Sequence, residues 1–377
     1  MLENGKEEQM GIKQKEKILF LVGGPEEGVV GRRARALAKG VSLGEIHFEY
    51  KKNNRWKTFW YFLRKIFIFR PKLIVVFENS VAGILAIGVG KMLRRYRVVL
   101  ETGDVPGEFA RSVTGRSFLG VLTASLLEKT GYRLADQIVV RGSFHQQHLA
   151  SIGFSNVHFI PEGYEASLFT SSSFSISSPL RKELDLENLL TFGVMGSAHW
   201  NKKIQLPYGW DVIEALAYLR DYPIKGVLIC DGTGIPHLKK RAQKLEVSSQ
   251  VLFLENIPHP QLPNYLACVD ICISTQTNNL VGWVRTTCKL PEYMALGKFI
   301  LATRVGEASK VLPEEMLLPY QGIKDPDHPR RLASRVLEIY HNREILKLGA
   351  LNQEIAAKHF DYNILRPRFL SVVESLI

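Results

Sequence analysis

Apolar residues in this chain gather into short unbroken runs, and the stretches between those runs are mixed and mostly longer. In the first half the runs are 17–22, 73–77, 98–101, 137–140 and 157–160. A strand covered on both faces reads as continuous rather than alternating, so these predict buried parallel strands. Between them, 31–39, 81–93 and 143–151 have helical character. Six of the eight residues 171–178 are serine and Pro179 closes the run, which predicts a linker over 171–180. The alternation then restarts, with strands over 189–195, 227–230, 251–254, 269–274 and 299–302. Helices are expected over 208–222, 236–245, 261–268, 327–340 and 344–359. The fold class is therefore α/β, with two Rossmann-like doubly wound parallel-sheet domains over 1–170 and 181–360 facing each other across a cleft. A closing helix over 361–377 is expected to pack back on the first domain.

Residues 289–303, KLPEYMALGKFILAT, add chemistry to that frame. Pro291 in the first turn and Gly297 past the last are favoured helix punctuation, and a buried strand follows at once. Lys289 and Glu292 then stand on the opening turn. Free N–H groups there favour a phosphate, and a carboxylate can take a ribose hydroxyl. Gly23 and Gly24, with Gly28 and Gly31, let the backbone approach a ligand closely after the first strand.

Composition narrows the class. With 46% hydrophobic and 23% charged residues over 377 positions, the chain is globular and long enough for two domains. Cys230, Cys268, Cys272 and Cys288 lack a ligand-like arrangement, so reduced thiols in a cytoplasmic protein, and no metal site, are expected. The first seventeen residues have no apolar signal core. Of the net charge of +12, most lies early: residues 1–170 hold 25 Lys/Arg against 16 Asp/Glu. Residues 51–72 hold eight Lys/Arg, seven aromatics and no acid. Arg55, Trp56, Lys57, Trp60, Arg64 and Lys65 there suit a helix lying on an anionic membrane surface, while aromatics at these spacings also fill cores. No recognition motif for nucleic acid accompanies the basic face.

Six segments in order are similar to the retaining GT-B glycosyltransferases, the glycosyltransferase family 4-like (group 1) transferases that build polysaccharides and glycolipids. They are residues 135–154, IPEGYEASLF at 160–169, FGVMGS at 192–197, CDGTG at 230–234, 251–274 and 289–303. The resemblance implies a nucleotide-sugar donor, UDP-linked before GDP-linked, and an acceptor hydroxyl on a glycan or lipid-linked saccharide. It implies no cofactor and no metal. Carried onto this chain, Glu292 would bond the ribose, and Thr286, Thr287, Lys289 and Gly196 would lie at the diphosphate. Asp231, Gly232, Asn256 and Ile257 would form turns beside the nucleotide.

The chain departs from the family pattern at two places. Val284 stands where a second glutamate is frequent, and Tyr208 where a lysine is usual; Lys202 and Lys203 could supply the missing charge. Glu101 and Asp104, after the third strand, are the candidate catalytic residues on the acceptor side, and a turn role suits both equally. The expected setting is the cytoplasm, at the inner face of the membrane. A sugar-nucleotide epimerase of the same fold and a non-catalytic binding or scaffold subunit remain alternatives.

Overall fold

The computed structural model describes residues 16–40, 44–169 and 172–377. The polar opening segment up to residue 15, and Ser171 of the expected linker, lie outside the described residues.

The front domain runs β1 (Glu16–Val22), α1 (Val29–Ala38), β2 (Gly44–Tyr50), α2 (Arg55–Phe69), β3 (Leu73–Phe77), α3 (Val81–Leu93), β4 (Arg97–Thr102), a short α4 (Pro106–Glu108), α5 (Phe118–Leu134), β5 (Gln137–Val140), α6 (Ser143–Ser151) and β6 (Val157–Phe159). A further helix, α7 (Ser172–Glu183), leads to the rear domain. There β7 (Leu190–Ser197), α8 (Trp210–Leu216), β8 (Ile224–Asp231), α9 (Ile235–Lys244), β9 (Val251–Leu254), α10 (Leu262–Ala267) and β10 (Ile271–Ser274) come first. They are followed by α11 (Leu280–Trp283), α12 (Lys289–Ala295), β11 (Phe299–Thr303), α13 (Ala308–Val311), β12 (Leu317–Leu318), α14 (His328–His341), α15 (Gly349–His359) and α16 (Tyr362–Glu374).

Each domain is built on a six-stranded sheet, in the orders β2-β1-β3-β4-β5-β6 and β12-β11-β10-β7-β8-β9. All the recorded strand pairings are parallel. The chain reverses its direction of growth between β1 and β3 in one sheet and between β7 and β10 in the other. Those switch points leave crevices at the strands' carboxyl ends, where ligands of open sheets bind. The front sheet is covered on both faces by separate apolar layers, and the layer over β1 and β3 includes Leu365, Phe369, Val372 and Val373 of α16. Hydrogen bonds also tie that returning helix to the front domain: Arg366 Nε donates to Ala36 O at 2.6 Å, and Arg368 to Phe159 O at 2.7 Å.

Local chemistry sets the element ends. Asn54 Oδ1 accepts from the backbone N–H of Trp56 at 2.8 Å and so opens α2. Gly297 follows α12 with φ +59°, a left-handed conformation that favours glycine.

The serine-rich run expected as a linker is helical from Ser172. Arg181 in its last turn secures it to the rear domain, donating to the carbonyls of Cys268, Leu186 and Leu189 at 2.6, 2.8 and 2.9 Å. Tertiary packing overrides the weak helix propensity of serine here.

Candidate active site

At the carboxyl end of the rear sheet, β7 closes with Gly196 and Ser197, β8 ends in Asp231, and α12 begins at Lys289. Together with Ile229, Cys230, Leu254, Ile257, His259, Leu262, Cys288 and Glu292 they enclose a cavity of about 400 Å³. Its far wall belongs to the other domain: Val29 and Arg32 of α1. Gly196 has φ +130°, and a Cβ there would lie 2.7 Å from Lys289 Cε. Glycine thus gives the backbone its turn and gives the lysine its place. Beside it, Asn256 has φ +59° and donates its N–H to Asp231 Oδ1 at 2.7 Å, which fixes the rim near Ile257. Gly232, at φ +136°, comes within 2.9 Å of the Ala198 carbonyl at its would-be Cβ.

Glu292 is buried, with Oε1 3.1 Å from His259 Nε2. Lys289 places its ammonium 4.2 Å from the Tyr208 ring centroid. Burial lowers its pKa, opposed by the neighbouring Cys288 and Glu292. A lysine on a half-buried aromatic face, with no carboxylate in ion-pair contact among the described residues, is a cation available to an incoming anion. Tyr208 occupies the place where the family usually has a lysine, and Lys289 reaches its ring from the opposite wall.

Other expected residues lie elsewhere. Lys203 Nζ donates to the carbonyls of Arg111 and Ser112 at 2.7 and 3.1 Å, closing the end of the π-helical turn Phe109–Val113 in the front domain. Lys202 is exposed, and neither lysine lines the cavity. Thr286 is buried with its hydroxyl donating to Arg141 O across the domain boundary, and Thr287 O accepts from Leu290 N–H at 3.2 Å. Gly23 donates to Phe77 O at 2.8 Å, so the glycine turn is packed against β3. The front domain reaches the cavity through α1 instead. Arg32 also borders an adjoining cavity of about 470 Å³ that includes Glu162, Tyr164 and Glu165.

Glu101, expected as a catalytic candidate, is fully buried at 0% exposure. Arg33 Nε and Arg141 Nε both donate to its Oε1 at 2.8 Å, and Arg141 reaches Oε2 at 2.9 Å. Burial would raise its pKa, but the two guanidiniums outweigh it and hold the carboxyl below the usual range. With every oxygen committed and no open face, Glu101 is a structural carboxylate and not a base. Asp104 differs: its side chain is 41% exposed and paired with Arg285 Nε from the rear domain. Burial works against that ionisation, and Arg285 prevails.

Glu78 escaped the sequence reading. It stands just past β3 with φ +73° and holds Arg141 at 2.6 Å. Burial pushes its carboxyl up to about 7; Arg141 opposes this and Asp104 and Glu101 add to it. Its only signal in the sequence is a lone acid closing the run LIVVF.

The departure at Val284 also has a place in the fold. Val284 is fully buried and packs with Val105 and Val281, and a Cβ on Gly142 would lie 2.2 Å from Val284 O. Around this contact Glu307 Oε1 accepts from Ser143 N–H at 2.5 Å, and Phe144 meets Trp283 edge-on with centroids 4.7 Å apart. The position is a domain contact.

Residues 190–342 match the family described as Glycosyl transferases group 1. No curated protein matches the chain by sequence. Among solved structures it is similar to HepE from Anabaena in complex with UDP and glucose, at 17% identity and TM-score 0.72 over 96% of this chain and 100% of that one. It is also similar to sucrose-phosphate synthase from Thermosynechococcus elongatus, at 17% and 0.72 over 96% and 99%. The lipopolysaccharide outer core galactosyltransferase WaaB aligns at 12% and 0.62 over 96% and 100%. Likeness at such identities speaks for the fold, and the family match speaks for the chemistry. Residues 190–342, which furnish most of the cavity, match a group 1 glycosyltransferase domain, and the chain as a whole has the GT-B fold.

Proposed function

We propose that the chain moves a sugar from a nucleotide-diphosphate donor, UDP-linked in preference to GDP-linked, to a hydroxyl of a lipid-linked saccharide or glycolipid, with retention and without a metal. The observation that carries this reading is the convergence of Glu292, His259 and Lys289 on one cavity at the rear switch point. The HepE complex with UDP and glucose supports the choice of donor. In this reading Glu292 takes the ribose hydroxyls. Lys289 and Arg32 face the diphosphate, where positive charge is needed as the leaving group develops. The bond from C1 to the diphosphate breaks, the acceptor oxygen bonds to C1 on the same face, and its proton passes to the departing diphosphate. Asp104 orients the acceptor hydroxyl.

UDP should raise the melting temperature of the protein, and Glu292→Ala should remove most of that rise. An equal shift in the variant would reject Glu292 as the ribose ligand. The burial of Val284 favours a second reading, a nucleotide-binding subunit without transfer. Release of UDP or GDP from a donor panel in the presence of acceptors separates the two, since such a subunit would release neither.

The setting is proposed to be the inner face of the cytoplasmic membrane. Trp56 and Trp60 of α2 are 54% and 65% exposed, with Arg55, Lys57 and Arg64 exposed around them, while Phe59, Phe62 and Ile66 fill the core. Lys65 drops out of this face because it pairs with Glu49 at 2.5 Å. No helix among the described residues is long and apolar enough to cross a membrane. Vesicle sedimentation should increase with anionic lipid and fall in Trp60→Glu/Arg64→Glu; sedimentation indifferent to both would rule out this account.

A further inference from the structure

The carboxylate of Glu292 is held from across its cavity. The side chain is 6% exposed, and among the described residues it takes one hydrogen bond, with His259 Nε2 at 3.1 Å from Oε1. An imidazole nitrogen attracts a carboxylate oxygen only when it bears hydrogen, so Nε2–H is the donor. The imidazole is itself fixed. His259 opens a 3-10 turn, His259–Gln261, with Pro258 before it and Pro260 within it, and Gln261 N–H donates to Pro258 O at 2.9 Å. Proline sets φ, so this turn has little freedom. Phe169, buried in the segment that leads from the front domain to the rear, meets the imidazole edge-on with ring centroids 6.4 Å apart. His259 and Glu292 both line the rear cavity and the adjoining cavity of about 470 Å³, so their contact stands between the two. Arg32 borders both cavities as well.

We propose that His259 is a positioning residue of the donor site: it holds the Glu292 carboxylate toward the rear cavity, and this hold is what makes the site demand the ribose hydroxyls. The inference rests on the reading of Glu292 as the ribose ligand and adds what keeps that ligand in place. The last torsion of a glutamate side chain is broad and roughly two-fold, so a carboxylate without a partner turns easily. Released from His259, Glu292 would turn toward the adjoining cavity, where solvent and Arg32 offer themselves. Pairing there would also draw Arg32 away from the diphosphate. A clamped carboxylate has no such recourse. When a nucleotide without ribose hydroxyls binds, the oxygen facing it is left buried and unpaired, and that penalty rejects the analogue. His259 acts through Glu292 and takes no part in bond breaking.

Calorimetry on the full chain with UDP and with dideoxyuridine diphosphate, which lacks both ribose hydroxyls, tests this. The native protein should prefer UDP by at least about 30-fold, as hydrogen bonds to a charged group are at stake. His259→Phe keeps a flat ring against Phe169 but cannot donate. It should weaken UDP about 10-fold and leave the dideoxy nucleotide within about 3-fold of its native affinity. His259→Asn, too short to reach Oε1, should do the same, so a folding defect in one variant leaves the test intact. His259→Gln, which brings an N–H close to the place of Nε2, should restore UDP binding to within about 3-fold of native. In a Glu292→Ala background His259→Phe should change neither affinity. Equal weakening of both nucleotides by His259→Phe would overturn the proposal, as would an effect that persists without Glu292. A glutamine variant as weak as the phenylalanine one would do so too, since shape and not the hydrogen bond would then be the cause. Native discrimination that survives in His259→Phe would overturn it while leaving Glu292 as the ribose ligand. A native protein that binds the two nucleotides equally, or binds neither, would overturn both readings.

Discussion

The two sheets end at the same cleft but are furnished in opposite ways. The front sheet's carboxyl end is filled with charge: Arg33, Glu101, Arg141 and Glu162 lie in mutual contact, with Tyr362 of α16 donating to Glu162 at 2.7 Å. The rear sheet's end is hollow, with Lys289 and Glu292 set among apolar walls. The contrast shows that a buried charge at a switch point does not by itself mark chemistry. What marks it is a charge whose partners leave room for something else. Glu101 has both oxygens occupied by protein, whereas Glu292 has one histidine contact and an open side. The front network instead makes a stiff wall that holds α1 and α16 in register.

The largest effect should come from breaking that wall. Glu101→Ala leaves two buried guanidiniums short of a partner and should cost about 3–5 kcal/mol of stability by denaturant unfolding. Glu292→Ala should leave stability nearly unaltered. Equal losses in the two variants would erase the distinction drawn between the domains. Next comes Lys289→Met, which should weaken UDP binding by roughly 10-fold, about 1.4 kcal/mol, with unfolding unchanged or slightly later because a buried ammonium is removed. Undiminished UDP affinity would mean that Arg32 alone faces the diphosphate.

A smaller and subtler effect concerns Glu78. Its folded pKa, about 7, lies above the unfolded carboxyl value, so the folded state holds more protons between them. Stability from this group is therefore full below pH 4–5 and is lost as pH rises through 7. Glu78→Gln should flatten the fall in stability between pH 5 and 7 by no more than about 2 kcal/mol. A variant with an unchanged pH profile would show that Arg141 keeps Glu78 ionised throughout.

Much of the frame could be read from the residues. Runs such as LIVVF at β3 and FILAT at β11 are too continuous to belong to a one-sided sheet, and both are central strands. Pro291 and Gly297 bracket α12 as their backbone limits require. Less could be read where an element's covering comes from far away. Strand β2, GEIHFEY, is an edge strand whose polar residues alternate with half-buried ones, so its apolar signal is thin. Helix α5 turns Phe118, Leu119, Leu122 and Leu126 outward, which defeats any reading that assumes apolar residues point to a core. The serine run became a helix because Arg181 and α10 give it something to pack on.

Residue roles divide along the same line. Backbone demands and strand burial are local, set by steric limits and by short-range hydrophobic pattern, and one chain suffices to read them. That is why the doubly wound domains and the placement of Lys289 and Glu292 on a helix's opening turn could be read from the residues, whereas Gly196 entered only through the family resemblance. Whether a carboxylate is free or locked depends on which charges arrive from distant segments. Arg33 meets Glu101 across 68 positions, and Arg285 meets Asp104 across 181. Lys203 likewise spends its charge on a turn in the other domain. Electrostatic energy depends on distance through space and on burial, and neither is written in the order of the residues.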